Sequence, residues 1–452
     1  MAKSKYLTSP VPSKKMPTGI PYILTTEAAE RLAFYGMSSI LIVFMTKYLM
    51  GPNGTLNAMA DEPAKAWFHL FTGAVYFMAI VGAVISDVWL GKYKTIIWFS
   101  LLYCVGFFIM AWDHTRVGLT AGLILIAAAS GIIKPSLTAN VGDQFGASNK
   151  HLIEKVYSWF YFSINLGAAI SMFVCPILLD KYGPTIGFGV PAISMVIATL
   201  TYWLGRHKLV HIPPKGRTGW RETLDKEDVK ALKKLCIIFL FVSMFFALFY
   251  QSESAWVLQA EKMNLNWLGM TWRPAQMQSA NPFLIMILIP IFLCVIYPAL
   301  NRLWTLTPLR KIGIGMFLTA ASFLVPVWIE NQLEAGIRPS IGWQFFAYIF
   351  LTGAEVMVSI TVLEFAYTQA PKKMKSLIQS VQLFSISLGN FFTAGVNSLI
   401  KNEDGTSKLP GASYYWFFVI AMLVTAILFI PLAKWYKPRE YIQDESPAES
   451  SA

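Results

Sequence analysis

The sequence predicts an all-α polytopic membrane protein with twelve transmembrane helices in two six-helix bundles, and three observations lead to this prediction. Hydrophobic residues make up 55% of the 452 residues and charged residues only 14%, whereas a soluble globular protein carries about 25% charged residues. Apolar runs that approach the roughly 20 residues needed to cross a hydrocarbon core recur twelve times. The longest polar stretch between them, residues 206–233, leaves six runs on either side.

The predicted spans are joined by short loops, which leave no room for an extramembrane catalytic or ligand-binding domain. They lie at residues 21–49, 66–90, 94–112, 117–141, 156–179, 187–205, 234–258, 279–300, 311–329, 342–369, 376–400 and 411–434. The expected organisation is an N-terminal tail (1–20), a first bundle (21–205), a basic linker (206–233), a second bundle (234–437) and a disordered tail (438–452).

The distribution of basic residues predicts the orientation. Of the 37 Lys and Arg residues, 26 fall in the tails and in the loops after the even-numbered spans. By the positive-inside bias, both termini are expected in the cytoplasm of a protein in the cytoplasmic or plasma membrane. The net charge of +12 is therefore interpreted as a topology signal next to membrane lipid, with no nucleic-acid partner.

Three ionisable residues lie in the first third of span 1. Glu27, Glu30 and Arg31 occupy positions i, i+3 and i+4, so one helical face carries all three. A charged side chain near the bilayer centre costs about 2.5 to 3.5 kcal/mol on insertion scales, and such residues normally face an ion path or a substrate site. A functional site is therefore expected here.

The loop after span 2 has a recognisable pattern. Its sequence, Gly82-Ala-Val-Ile-Ser-Asp87-Val-Trp-Leu-Gly91-Lys92-Tyr-Lys94, resembles the Gly-x-x-x-Asp…Gly-Arg/Lys loop of the major facilitator superfamily. This resemblance implies the major facilitator fold and a gating role for Asp87 and Lys92, whereas a basic turn with a capping Asp is the simpler alternative.

Five further motifs, in order along the chain, resemble those of the proton-coupled oligopeptide transporters within that superfamily. They are Glu27-Ala-Ala-Glu30-Arg31-Leu-Ala-Phe-Tyr35-Gly36, Gly131-Ile-Ile-Lys134-Pro135, Phe160-Tyr161-Phe-Ser-Ile-Asn165-Leu-Gly167, Asn281-Pro282 and Glu355-Val-Met-Val-Ser359. The resemblance covers spans 1 to 11. It implies a symporter of di- and tripeptides with no cofactor and with protons as the coupling ion.

The residues of the first half suggest how such coupling works. Besides Arg31, Lys134 is expected to be the only interior cation, and it should either lose its proton or find a carboxylate. With Glu27 and Glu30 ionised, the four-residue cluster has no net charge, and protonation of one Glu would free a cation for a substrate carboxylate. A purely structural ion-pair network between spans 1 and 4 is the alternative.

The resemblance also implies substrate contacts elsewhere. Glu355 would bind the peptide amino terminus, although a helix–helix hydrogen bond would equally explain an intramembrane carboxylate. Asn165 and Asn281 can bind a peptide amide or bridge helices, and Tyr35 and Tyr76 are candidate pocket hydroxyls.

Two departures from the family pattern concern affinity and the proton route. Phe34 and Ser38 stand where relatives often have Tyr and Arg, and Tyr250 aligns with the acid that many relatives have in span 7. Glu253, three residues further on, is therefore a candidate replacement for that acid. His69, whose imidazole titrates near physiological pH, is a further candidate for proton coupling.

The expected function is thus import of di- and tripeptides by alternating access. Three other functions are the alternatives. The nearest is a related carrier of an amino acid, nitrate or a peptide-like compound. A membrane enzyme is disfavoured, since the sequence has no His-x-x-x-Asp, Gly-x-Ser-x-Gly or His-Glu-x-x-His motif. A passive channel would not respond to a proton gradient. The transporter is expected to act as a monomer.

Overall fold

The computed structural model describes residues 6–214, 226–369, 375–402 and 406–436. Within them, eleven helical segments are long and apolar enough to cross a membrane. One of these, Lys155–His207, has 53 residues, and a straight helix of that length would be about 80 Å long, against a hydrocarbon core of about 30 Å. The helix is broken at Gly183, whose φ of 79° and ψ of −178° are not helical. The described residues therefore contain the twelve predicted helices.

Helices α5 (153–182) and α6 (184–204) are the two parts of this broken segment. The others are α1 (Ile20–Lys47), α2 (Asp61–Val84 with the π-helical turn Ile85–Leu90), α3 (Lys92–Trp112), α4 (Arg116–Asp143), α7 (Lys226–Phe249, then Tyr250–Glu253 and Ala255–Ala260), α8 (Pro274–Ser279, Ala280–Ile291, Phe292–Ile296 and Tyr297–Leu303), α9 (Pro308–Glu334), α10 (Gly342–Glu355, Val356–Ile360 and Thr361–Thr368), α11 (Lys375–Ile400) and α12 (Ala412–Trp435). A short hairpin of β1 (Asn266–Trp267) and β2 (Met270–Thr271) connects α7 to α8.

The hydrophobic side chains form two large clusters. One is built mainly from α1 to α6 and the other from α7 to α12, and we call these helices the first half and the second half. We call the end of the bundle where α1 begins and α12 ends the terminal end, and the opposite end the distal end. Of the predicted linker and C-terminal tail, residues 215–225 and 437–452 lie outside the described part of the chain.

The start of α2 corrects the prediction. The helix begins at Asp61 instead of residue 66, so Lys65 lies inside it and is only 6% exposed. The expectation that Arg31 and Lys134 are the only interior cations is therefore wrong. Burial is tolerated because Glu62, one turn earlier, binds the Lys65 ammonium at 2.8 Å.

Two glycines from the predicted motifs allow close helix packing around the charged residues. A Cβ on Gly131 would lie 2.2 Å from the backbone oxygen of Val75, so only glycine lets α4 approach α2 this closely. A Cβ on Gly167 would lie 2.6 Å from the backbone oxygen of Ala28, which brings α5 against the charged face of α1. The glycines thus shape the wall that carries Arg31 and Lys134.

Candidate functional site

The charged face of α1 forms a compact cluster around one guanidinium. Nε of Arg31 lies 2.7 Å from Oε1 of Glu27 and 3.1 Å from Oε2 of Glu30. Tyr103 of α3 donates a hydrogen bond of 3.4 Å to Oε1 of Glu30. Glu27 and Glu30 are each 1% exposed and Arg31 is 7% exposed. Two buried carboxylates therefore share one cation in direct contact.

Lys134 of α4 lies beside this cluster without a salt bridge to it. Its buried Nζ has no hydrogen-bond partner among the described residues, and it lies 3.6 Å from the centre of the Phe34 ring and 5.1 Å from that of Tyr76. The carboxylates of Glu27 and Glu30 are close enough to interact with it electrostatically. We expected the ammonium to find a carboxylate or lose its proton, but aromatic faces supply a third environment, worth about 0.5 to 2 kcal/mol.

The second half contributes a carboxylate. Asn281 of α8 donates a hydrogen bond of 2.7 Å to Oε2 of Glu355 and one of 3.1 Å to the Thr352 hydroxyl. Glu355 immediately precedes the π-helical turn Val356–Ile360, a feature that is frequent at functional sites. Among the salt bridges of the described residues, none involves Glu355. Its carboxylate thus has an amide donor and no bound cation.

Two hydrogen bonds join the halves at mid-depth. Ser38 of α1 donates to Oε2 of Glu253 at 2.8 Å, and the Tyr250 hydroxyl donates to that of Tyr76 at 2.6 Å. The family resemblance led us to expect an Arg at the position of Ser38. In this chain a neutral hydroxyl, instead of a guanidinium, contacts the Glu253 carboxylate. Glu253 is 7% exposed and accordingly occupies the interface between the halves.

His69 is buried at the same interface, closer to the distal end. Its Nδ1 lies 2.8 Å from Oδ1 of Asn390, and its Nε2 lies 2.9 Å from Oγ of Ser254. Because the Asn390 amide nitrogen donates to the backbone of Ile386, its Oδ1 accepts from His69. Both ring nitrogens of His69 are therefore bound to the second half.

Asn165 and Tyr35 are two further residues that the sequence predicted for the site. Asn165 donates a hydrogen bond of 2.9 Å to the backbone oxygen of Tyr161 in its own helix. Tyr35 is half-buried, and its ring packs edge-on against that of Phe34 at 5.4 Å between centres. The amide that Asn165 was predicted to offer to substrate is thus partly committed to α5.

The two predicted gating residues, Asp87 and Lys92, lie in consecutive elements. Asp87 lies in the π-helical turn that ends α2. Lys92, at the start of α3, forms a salt bridge of 2.7 Å with Asp143 at the end of α4. Asp143 lies two residues beyond the predicted fourth span (117–141). The contact joins residues 51 positions apart, so no local spacing signals it.

The contacts between the halves lie at mid-depth and toward the distal end. Within the described residues, the hydrogen bonds and salt bridges of this kind join Ser38 to Glu253, Tyr76 to Tyr250, His69 to Ser254 and Asn390, Gln278 to Ser39, Gln276 to Phe173, Lys47 to Glu261, and Arg273 to Asp180. The distal end is therefore closed. Sequence reasoning missed the last four contacts, because they depend on how two distant halves meet.

Comparison with known proteins places these residues in a family. A family model described as the POT family matches residues 93–221 and 217–417. The chain is 33% identical to Peptide transporter family 1 of Drosophila melanogaster, with 73% of this chain and 49% of the relative covered. It is also 33% identical to Solute carrier family 15 member 2 of Homo sapiens, with 76% and 53% covered. The chain thus spans about half the length of the curated relatives it matches.

Solved structures agree over nearly the whole chain. The crystal structure of the POT family transporter PepTSo superposes with a TM-score of 0.84 at 33% identity, covering 93% of this chain and 98% of that one. An auto-inhibited POT family peptide transporter gives a TM-score of 0.85 at 31% identity, covering 95% and 99%. These matches are transporters, in line with the expectation that the chain is not an enzyme, and they confirm the predicted fold class. The chain belongs to the POT family.

Proposed function

We propose that this protein is a proton-coupled symporter that imports di- and tripeptides by alternating access of a site between its two halves. Two groups carry this proposal. Among the described residues, the buried ammonium of Lys134 on the first half has no hydrogen-bond partner, and the carboxylate of Glu355 on the second half has no bound cation. A zwitterionic peptide can satisfy both groups at once. Several relatives are named as peptide transporters, which supports the same substrate class.

In this proposal the two ends of the peptide hold the halves together. Arg31 and Lys134 bind the carboxylate, and Glu355, oriented by Asn281, binds the amino terminus. Tyr35, Tyr76 and the amide oxygen of Asn165 are polar groups for the remainder of the ligand. The first half binds the negative end of the peptide and the second half binds the positive end. A peptide with both ends free therefore stabilises the closed arrangement of the two halves more than a compound with only one charged end.

Proton coupling follows from the charge of the cluster. Glu27, Glu30, Arg31 and Lys134 sum to zero when both acids are ionised. Protonation of one Glu leaves a net positive charge and weakens its hold on Arg31, so a substrate carboxylate is then bound more strongly. Glu253 and His69, which connect the halves, link proton binding to their relative movement, and no cofactor is needed.

The direction of the cycle follows from the closed distal end. We assign the terminal end to the cytoplasm of the cytoplasmic or plasma membrane, in accordance with the basic loops, and the described conformation is then closed to the outside. Opening outward requires breaking the distal contacts, and Asp87 and the Lys92–Asp143 bridge belong to the opposite gate. The site lies within one chain, so a monomer embedded in lipid suffices.

Exchange competition tests the substrate class. Proteoliposomes loaded with unlabelled dialanine should take up labelled dialanine, and external di- and tripeptides should compete. Free alanine, tetra-alanine and nitrate should not compete. Competition by nitrate or amino acids without competition by dipeptides would instead favour a related carrier of another small solute. The presence of Ser38 where the family resemblance implies an Arg is the reason to consider that alternative.

A further inference from the structure

A cavity lies at the distal end, on the outer side of the closed contacts. It has a volume of about 410 Å³, within the range of about 300 to 1,000 Å³ that is typical of small-molecule sites. Both halves line it, and its charged and aromatic lining includes Asp61, Glu62 and Lys65 of α2 together with Lys262, Glu330 and Tyr414 of the second half. None of these residues belongs to the site described above.

The first-half wall carries a buried ion pair with an unused acceptor. Lys65 Nζ lies 2.8 Å from Oε1 of Glu62 and 3.8 Å from the centre of the Tyr414 ring. Oε2 of Glu62 is buried without a hydrogen-bond partner among the described residues, and Glu62 as a whole is 6% exposed. A buried carboxylate oxygen without a donor is costly unless a ligand supplies one.

The second-half wall carries a buried carboxylate without a cation. Glu330 of α9 is 6% exposed, and it accepts a hydrogen bond of 3.0 Å from the neutral amide of Gln259. That amide is held in turn, because Gln344 donates to its oxygen at 3.3 Å. None of the salt bridges among the described residues involves Glu330. Its position is thus fixed while its charge stays uncompensated.

The charges define the chemistry of a ligand. Three carboxylates, those of Asp61, Glu62 and Glu330, face the ammonium groups of Lys65 and Lys262 around one cavity. The excess negative charge favours a ligand with an ammonium group. Lys65 on the first-half wall and Lys262 on the second-half wall favour a ligand that also carries a carboxylate, which excludes simple amines as the best fit.

We propose that this cavity is a second binding site for a small zwitterionic peptide, whose amino terminus is held by Glu330 and by the unused oxygen of Glu62. It captures peptide from the distal side while the path to the central site is closed. This inference rests on the proposed function, because it takes the transported peptide as the occupant, but it assigns binding to residues that the central site does not use.

Cysteine protection tests this proposal on the full-length chain in detergent. Ala60 lines the cavity and is exposed, so Ala60→Cys, in a chain whose native cysteines are replaced, provides a thiol for a maleimide. Saturating dialanine should slow labelling, and N-acetyl-dialanine should not. Free alanine is tested in the same way. Protection by free alanine would indicate a general amino-acid site, and its absence would indicate a peptide site.

Three variants locate the protecting ligand. With Glu330→Gln, the dialanine concentration for half-protection should rise about tenfold or more, the effect of losing one hydrogen bond between charged groups. Glu334→Gln, one turn further along α9 and outside the cavity lining, should behave as the parent. Glu355→Gln, which impairs the central site, should leave protection intact.

Each opposite result overturns the proposal. Loss of protection with Glu355→Gln would mean that the thiol reports a conformational change caused by central binding. Absence of protection in the parent chain, or unaltered protection in both Glu330→Gln and a second variant, Glu62→Gln, would exclude the cavity as a site. Dialanine exchange, measured after the same purified variants are reconstituted into proteoliposomes, shows separately whether the proposed function holds and whether each variant is folded.

Discussion

Replacing Glu355 by Gln tests the assignment of the peptide amino terminus. The substitution removes the negative charge while keeping the size of the side chain and an amide oxygen that can still accept the hydrogen bond from Asn281. Glutamine is therefore preferable to alanine, which would leave the Asn281 amide without its partner. The expected result is weaker binding of peptides with a free amino terminus.

The magnitude follows from the single contact at stake. A hydrogen bond to a charged group contributes about 1.5 to 3 kcal/mol, and 1.4 kcal/mol corresponds to a factor of ten in Kd. Dialanine should therefore bind about 10 to 150 times more weakly. Since Glu355 is half-buried and lies beside one amide donor, water screens part of its charge, and a value nearer the lower bound is expected.

Competition in the exchange assay supplies the measurement. The parent chain and Glu355→Gln are compared with dialanine and with N-acetyl-dialanine, which has no ammonium group to lose contact. Glu364→Gln, an exposed change in the same helix, is the matched control. An equal loss for both ligands, or no loss for dialanine, would refute the assignment of Glu355 to the amino terminus.

Three further predictions concern the cluster and the distal contacts. Glu30→Gln should abolish gradient-driven accumulation of dialanine and preserve exchange, and unchanged accumulation would reject a coupling role. Phe34→Leu should weaken dialanine binding by up to about 30-fold, because Lys134 loses a cation–π contact of about 0.5 to 2 kcal/mol, whereas unaltered binding would show that the ring does not position the ammonium. Burial raises the pKa of Glu261 despite its bridge to Lys47. The bridge should therefore weaken as the pH at the distal end falls toward that raised pKa, and Glu261→Gln should remove this part of the pH dependence of distal thiol labelling. The same pH profile in the variant would contradict this role of the bridge.

The helices were predictable because membrane spanning leaves a strong signal in the sequence. Apolar runs gave the number of helices, and short loops gave their order. The exceptions have local causes. The predicted second span began too late, at residue 66, because the charge of Lys65 lowers the local hydropathy. Hydropathy does not take into account that Glu62 neutralises this charge. The break at Gly183 was predicted as a loop, and the structure reduces it to one residue with positive φ.

The site was predictable in part. Spacing on one helix placed Glu27, Glu30 and Arg31 together, because residues three and four apart share a face. Contacts between helices were not deducible in the same way. The aromatic environment of Lys134 and the bond from Ser38 to Glu253 depend on packing between residues 58 or more positions apart. One sequence does not encode such packing in a local pattern.

Accumulation of dialanine against its own gradient tests the central claim most directly. Purified protein is reconstituted into proteoliposomes, and labelled dialanine uptake is followed with and without an inside-alkaline, inside-negative gradient. Proton-coupled symport predicts an internal concentration above the external one only while the gradient lasts, with release on addition of a protonophore. Equilibration to the external concentration regardless of the gradient, or no uptake of any di- or tripeptide, would contradict it.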